Sequence, residues 1–159
     1  MAANKKPRKK YVKKIVKGGH LPVPQSVILQ WETRGWNALA ALREGRYDRE
    51  IGLELILILT VIRKVVPNDS TEVLAMLLRA FQTINEIKAR FDRTGRWGAS
   101  GDDLRALEEV IPPLLSLFPQ LNRGEMHDAF AYTLGRLRME SPDTVMLQDS
   151  LTNAGNLLR

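Results

Sequence analysis

Residues 51 to 62 read IGLELILILTVI, the most apolar window of the chain, and the rest of the sequence is best understood outward from it. The window contains Glu54 and falls well short of the ~20 residues that cross a bilayer, so it reads as a buried helix. Asp48 stands just before it as an N-cap, since its carboxylate can accept the unpaired backbone N–H groups of the first turn, and Pro67 stops it. A helix apolar nearly all round belongs at the centre of a domain, with other helices covering it. Glu54 has two readings: a buried acid with a raised pKa, or a rim carboxylate paired with an arginine. No base, nucleophile or orienting partner accompanies it in the sequence.

On the N-terminal side, apolar spacing predicts a helix from near Ser26 to just before Gly45, with Leu29, Trp36, Ala40 and Trp31 on its inner side. On the C-terminal side, Asp69 with Glu72 forms a capping-box-like start for a helix carrying Leu74, Leu77, Leu78, Phe81, Ile84, Ile87 and Phe91, closed by a left-handed cap at Gly95. Ser100 with Asp103 opens the next helix. Pro112-Pro113 is expected to break or kink it, because each proline lacks a donor and clashes with the preceding turn, with Leu114 to Phe118 continuing at a new angle. Asn122 with Glu125 opens another helix, with Met126, Phe130, Leu134 and Leu137 on one side, and Ser141-Pro142 starts a short terminal one. No strand signal, internal repeat or sustained heptad competes. The expected fold is all-α: a five- or six-helix orthogonal bundle over residues 24 to 159, preceded by a disordered basic arm over residues 1 to 23.

That arm carries the charge. Residues 1 to 20 hold Lys5, Lys6, Arg8, Lys9, Lys10, Lys13, Lys14 and Lys17 and no acid; removing these eight from 24 leaves 16 bases against all 18 acids, a net −2 for the remainder. A segment so charged repels itself and buries too little to order alone. No apolar core or small-residue cleavage site follows it, so it does not read as a secretion signal. Lysine and arginine neutralise phosphates with release of counterions, and Tyr11 can stack on an unpaired base, which makes Lys5, Lys6, Arg8, Lys9, Lys10, Tyr11, Lys13, Lys14 and Lys17 candidate nucleic-acid contacts. An acidic protein surface, an anionic membrane or a solubilising role are the competing readings, since Tyr11, Val12, Ile15 and Val16 would share one side of a short helix.

The loop RTGRWGASG, residues 93 to 101, is a second candidate: Arg93, Arg96 and the free amides of the following helix can contact an anion or partner, with Trp97 beside them. Asp102 and Asp103 already satisfy that helix end, so the competing reading is a capped turn with Trp97 docked as a plug. The loop lacks the lysine, spacing and preceding strand of a phosphate-binding P-loop. Arg34, Arg43, Arg46 and Arg49, with Arg136 and Arg138, can either extend a phosphate surface or answer helix C-termini. His127 does not share a helical face with Glu125 or Asp128, His20 reads as a solvated imidazole, and the chain has no cysteine, so no metal or cofactor site and no thiol chemistry is expected. The apolar helix after the Leu42 to Asp48 break is unsuited to a major groove, which disfavours helix-turn-helix readout.

The arm KKPRKKYVKK, the ALREG at residues 41 to 45 and the block KARFDRTGRWGASGDDLRALEE together resemble small helical proteins encoded by tailed phages and prophages of Gram-negative bacteria. The resemblance covers the arm and residues 29 to 110; the stretch beyond Met139 departs from the pattern. It implies an accessory role in the cytoplasm of a bacterial host and brings no catalytic residues. The expectation is a non-enzymatic protein that binds nucleic acid through its arm largely without sequence specificity, its body able to form a homo-oligomer. The alternative is a module that binds or inhibits a host or phage protein through a groove or the Trp31, Trp36 and Trp97 set, aromatic residues being enriched at binding hot spots.

Overall fold

A computed structural model describes residues 18 to 139. The arm bases, Tyr11 and the helix expected from Ser141 lie outside the described residues, as do the side chains of Arg136, Leu137 and Arg138. The fold is all-helical: α1 (Gln25–Arg43), α2 (Arg49–Val65), α3 (Thr71–Thr94), α4 (Gly101–Leu115), a 3-10 turn (Phe118–Gln120) and α5 (Arg123–Met139).

The apolar run forms α2 and is the hub, packing on α1, α3 and α5, while α4 closes the other side against α1 and α3. Leu55, Ile58, Leu59, Val61 and Ile62 on α2 are fully buried. Each such side chain contributes roughly 1.5–3 kcal/mol relative to exposure, which is why the least polar helix is also the central one. Asp48 caps α2 as expected, its Oδ1 accepting the Ile51 N–H at 2.9 Å. Gly95 ends α3 in the left-handed region at φ 68°. Ser100 and Asp103 form a full capping box on α4, and Asn122 and Glu125 exchange the same reciprocal bonds at 3.0 and 2.9 Å at the head of α5.

Four expectations are corrected. On α1, Trp31 is buried as expected, but Leu29 is 52% and Trp36 47% exposed and Ala40 faces solvent; Ile28, Gly35, Ala38, Leu39 and Leu42 complete the inner face with Trp31 instead. Apolar residues cover both sides of this helix, so periodicity allowed two phases, and the packing of Trp31 against Phe118 at 5.6 Å and Phe130 at 5.8 Å belongs to only one. The Asp69/Glu72 box does not form. Ser70 occupies the cap position without a side-chain bond, so Glu72 falls one residue short of the position that reaches back.

α4 runs unbroken through Pro112 and Pro113 and ends at Leu115, with Phe118 in the separate 3-10 turn. The two missing donors would have met the carbonyls of Glu108, a half-buried residue, and Glu109, an exposed one, so neither falls in the core. On α5, Met126, Ala129 and Thr133 are buried, whereas Phe130 is exposed and Leu134 only half-buried. Gly35 lets α1 and α4 approach: a Cβ there would stand 2.6 Å from Leu115 Cδ1.

Candidate nucleic-acid interface

The arm joins the body at a fixed point. Gly124 N–H donates to Gly19 O at 2.9 Å, Arg123 N–H to Leu21 O at 2.9 Å and Val23 N–H to Leu121 O at 3.4 Å, while Arg123 Nε reaches Pro22 O at 3.1 Å. Residues 19 to 23 are thereby laid against the head of α5, and Val23, read from sequence as the end of the arm, is a core residue at 7% exposure. His20 is exposed beside this clamp.

Arginines on the body are largely answered by the body itself. Arg34 Nε lies 3.3 Å from Glu54 Oε1 and its guanidinium sits 5.6 Å from the Trp31 ring, which identifies Glu54 as the rim ion-pair partner. Arg43 pairs with Glu108, Arg46 with Glu44, Arg105 with Asp102, and Arg79 with Glu109 at 2.8 Å. Of the cluster considered around the first turn, only Arg49 has no acidic partner among the described residues. Exposed pairs of this kind add little stability, but each places a carboxylate next to the guanidinium and weakens it as a phosphate ligand.

In the 93–101 loop, the protein's own groups occupy the helix end. Asp103 Oδ2 accepts Arg90 Nη1 at 2.7 Å and Ser100 N–H at 2.6 Å, and Arg90 Nη1 also donates to Gly98 O at 3.1 Å. Burial by itself raises the pKa of Asp103, but the Arg90 hydrogen bond and the Ser100 N–H and hydroxyl outweigh it and hold the carboxyl below its ordinary value. Trp97 stacks on Phe91 with centroids 4.1 Å apart and planes 10° from parallel, and lies 5.9 Å from Tyr47. The geometry is a capped turn with a docked tryptophan. Arg93 and Arg96 stay exposed outside it.

Sequence reading missed Arg90, whose partner is 13 residues away on another helix and leaves no periodic signal, and Tyr47, which is 4% exposed. Burial first, then the Asp48 and Asp103 carboxylates, push the Tyr47 phenol well above its usual range. His127 is solvent-exposed with Nδ1 3.5 Å from Asp128. Among the described residues no three His, Asp or Glu side chains converge as metal ligands, and no helix is long and apolar enough to cross a membrane. No protein-family model, curated protein or solved structure matches the chain.

Proposed function

We propose that this is a non-enzymatic accessory protein that binds nucleic acid through its basic N-terminal segment, largely without sequence specificity, in the cytoplasm of a bacterial host. The observation that carries this reading is the separation of charge. Eight bases and no acid stand in residues 1 to 20, whereas residues 18 to 139 hold 15 Lys plus Arg and 15 Asp plus Glu. The body's charges cancel in number, and among the described side chains seven of those bases are paired to acids, so net long-range attraction for a polyanion comes from the arm.

The test is fluorescence anisotropy with labelled duplex and single-stranded DNA and RNA at several salt concentrations, on the full chain and on one lacking residues 1 to 17. That truncation removes all eight bases and keeps the Gly19 clamp. Affinity for duplex DNA is expected to fall with a log–log salt slope approaching about −7 if every arm charge meets a phosphate, at ~0.9 per contact. Undiminished binding by the truncated chain rejects the proposal. A second reading, a helical module that occupies a host or phage protein, has the half-exposed Trp36 in its favour. It is supported by a stoichiometric complex that survives nuclease treatment and is lost with Trp36→Asp.

A further inference from the structure

Most cations on the body are answered within it. Seven are paired to acids, Arg63 donates to Asn68 Oδ1 at 3.2 Å, Lys64 lies over the Tyr132 ring and Arg123 reaches Pro22 O. Among the described side chains that leaves Arg49, Arg93 and Arg96, all exposed and without a partner. Two of the three meet at Trp97. Arg49 and Trp97 line one recess with Tyr47, Gly52 and Lys88, and Arg96 and Trp97 line the next with Thr94 and Ser100. The half-buried indole is thus the wall between two recesses that each carry a free guanidinium. Neighbouring acids are already engaged: Asp92 by Lys88, Asp102 by Arg105, Asp103 by Arg90, and Asp48 by the Ile51 N–H.

The two recesses differ in size and chemistry. The one beside Arg49 has about 20 Å³ of free space, room for a single water-sized group. Tyr47, 4% exposed, sets its hydroxyl against Gly52 there, with no hydrogen-bond partner among the described residues. Burial keeps that phenol protonated, so it acts as a donor. A buried donor in the same slot as a free guanidinium suits one anionic oxygen. The recess beside Arg96 is open, about 540 Å³, and admits a planar ring. Phe91 stacks on one face of Trp97 at 4.1 Å and so holds the indole rigid at its edge.

We infer that Trp97, Arg49 and Arg96 form a seat for single-stranded nucleic acid, with an unpaired base against the indole in the open recess and a phosphate oxygen in the slot with Arg49 and the Tyr47 hydroxyl. The inference rests on the nucleic-acid reading and deepens it, since it adds to the arm a short-range contact on the body and selects the single strand over the duplex. A strand repeats phosphate and base, which is the alternation of guanidinium and aromatic wall found here. Duplex bases are stacked on one another and cannot present a face to the recess, whereas an unpaired base can. An acidic peptide would meet the arginines but has no ring at each repeat to set against the indole.

The test titrates the full chain with a labelled oligothymidylate of about 15 nucleotides, a duplex of the same length and thymidine monophosphate. The strand is expected to bind several-fold more tightly than the duplex. Arg49→Gln and Arg96→Gln should each weaken strand binding and flatten its salt slope by ~0.7, one contact's worth. Trp97→Leu, checked for folding by circular dichroism, should cost the strand about fivefold or more and leave the duplex unchanged. The strand should also quench tryptophan emission, in Trp36→Phe as in the parent but not in Trp97→Phe, which keeps an aromatic ring on Phe91. Equal losses for strand and duplex overturn the seat, as does quenching that survives Trp97→Phe, thymidine monophosphate bound as tightly as the strand, or displacement of the strand by polyglutamate at equal charge. Lys9→Gln with Lys10→Gln separates the two readings: the arm variant lowers strand and duplex binding alike, and its failure rejects the arm while the Trp97 and Arg49 effects stand or fall on their own.

Discussion

Arg90 on α3 and Asp103 on α4 share a bond of 2.7 Å, and the same Asp103 oxygen that receives Arg90 also accepts the Ser100 N–H that opens α4. One half-exposed guanidinium and one carboxylate that is 5% exposed therefore join two helices and cap one of them. An unpaired carboxylate at that depth would be costly, so the pair should behave as a unit.

Asp103→Ala is expected to cost about 2–3 kcal/mol in urea denaturation near neutral pH, by loss of a charged hydrogen bond and a cap. Arg90→Ala should cost a similar amount, and the double variant less than the sum of the two. Additive effects would show that the two side chains act separately.

The lowered pKa of Asp103 fixes the sign of an acid dependence. The unfolded chain binds this proton more readily than the folded one, so the stabilisation is present above about pH 4 and is lost as pH falls below that toward the folded-state value. Asp103→Asn keeps an acceptor for the Ser100 N–H but cannot titrate. Its stability should vary less between pH 5 and pH 3 than that of the parent, measured by thermal unfolding at each pH.

Tyr47 gives the opposite edge. Its phenol is held neutral above the usual range, so the folded chain keeps this proton where the unfolded chain releases it, and stability should decline as pH rises past about 10. Ultraviolet titration should show one tyrosine that ionises only as the protein unfolds, and Tyr47→Phe should remove that step.

A Cβ at Gly52 would stand 2.7 Å from the Tyr47 hydroxyl oxygen but 3.4 Å from Cζ, an ordinary contact. Gly52→Ala should therefore destabilise by about 1–3 kcal/mol despite its better helix propensity. In a Tyr47→Phe background the same substitution should cost clearly less, because the clashing atom is gone. An unchanged cost would place the strain elsewhere.

Arg43→Gln and Arg46→Gln, whose partners are Glu108 and Glu44, should each change the salt slope of nucleic-acid binding by well under one phosphate contact. Substituting a pair of arm lysines, Lys9 and Lys10, should flatten it by about two contacts' worth, ~0.9 each. A body arginine with the larger effect would move the interface onto the helices.

Most residues that act within one or two turns of backbone were legible in the sequence, the Asp69/Glu72 box, displaced by one residue at Ser70, being the exception. The Asp48, Ser100 and Asn122 caps and the Gly95 terminus appear where local spacing places them, because a cap is satisfied by atoms at most four residues away. The apolar run 51 to 62 determined the central helix for a similar reason, since a helix with no polar side must be covered on every face. Even the charge separation behind the functional proposal is linear information, readable by counting.

Tertiary structure alone decided which face of α1 points inward, because its apolar residues fit two phases and only the bulk of Phe118 and Phe130 against Trp31 distinguishes them. It also decided that Arg34, Arg43 and Arg79 are neutralised from neighbouring helices, that Arg90 finds Asp103 and that Tyr47 is enclosed. Each of these depends on a distance between segments far apart in the chain. Period and composition describe one segment at a time, whereas burial and ion pairing are properties of two segments packed together.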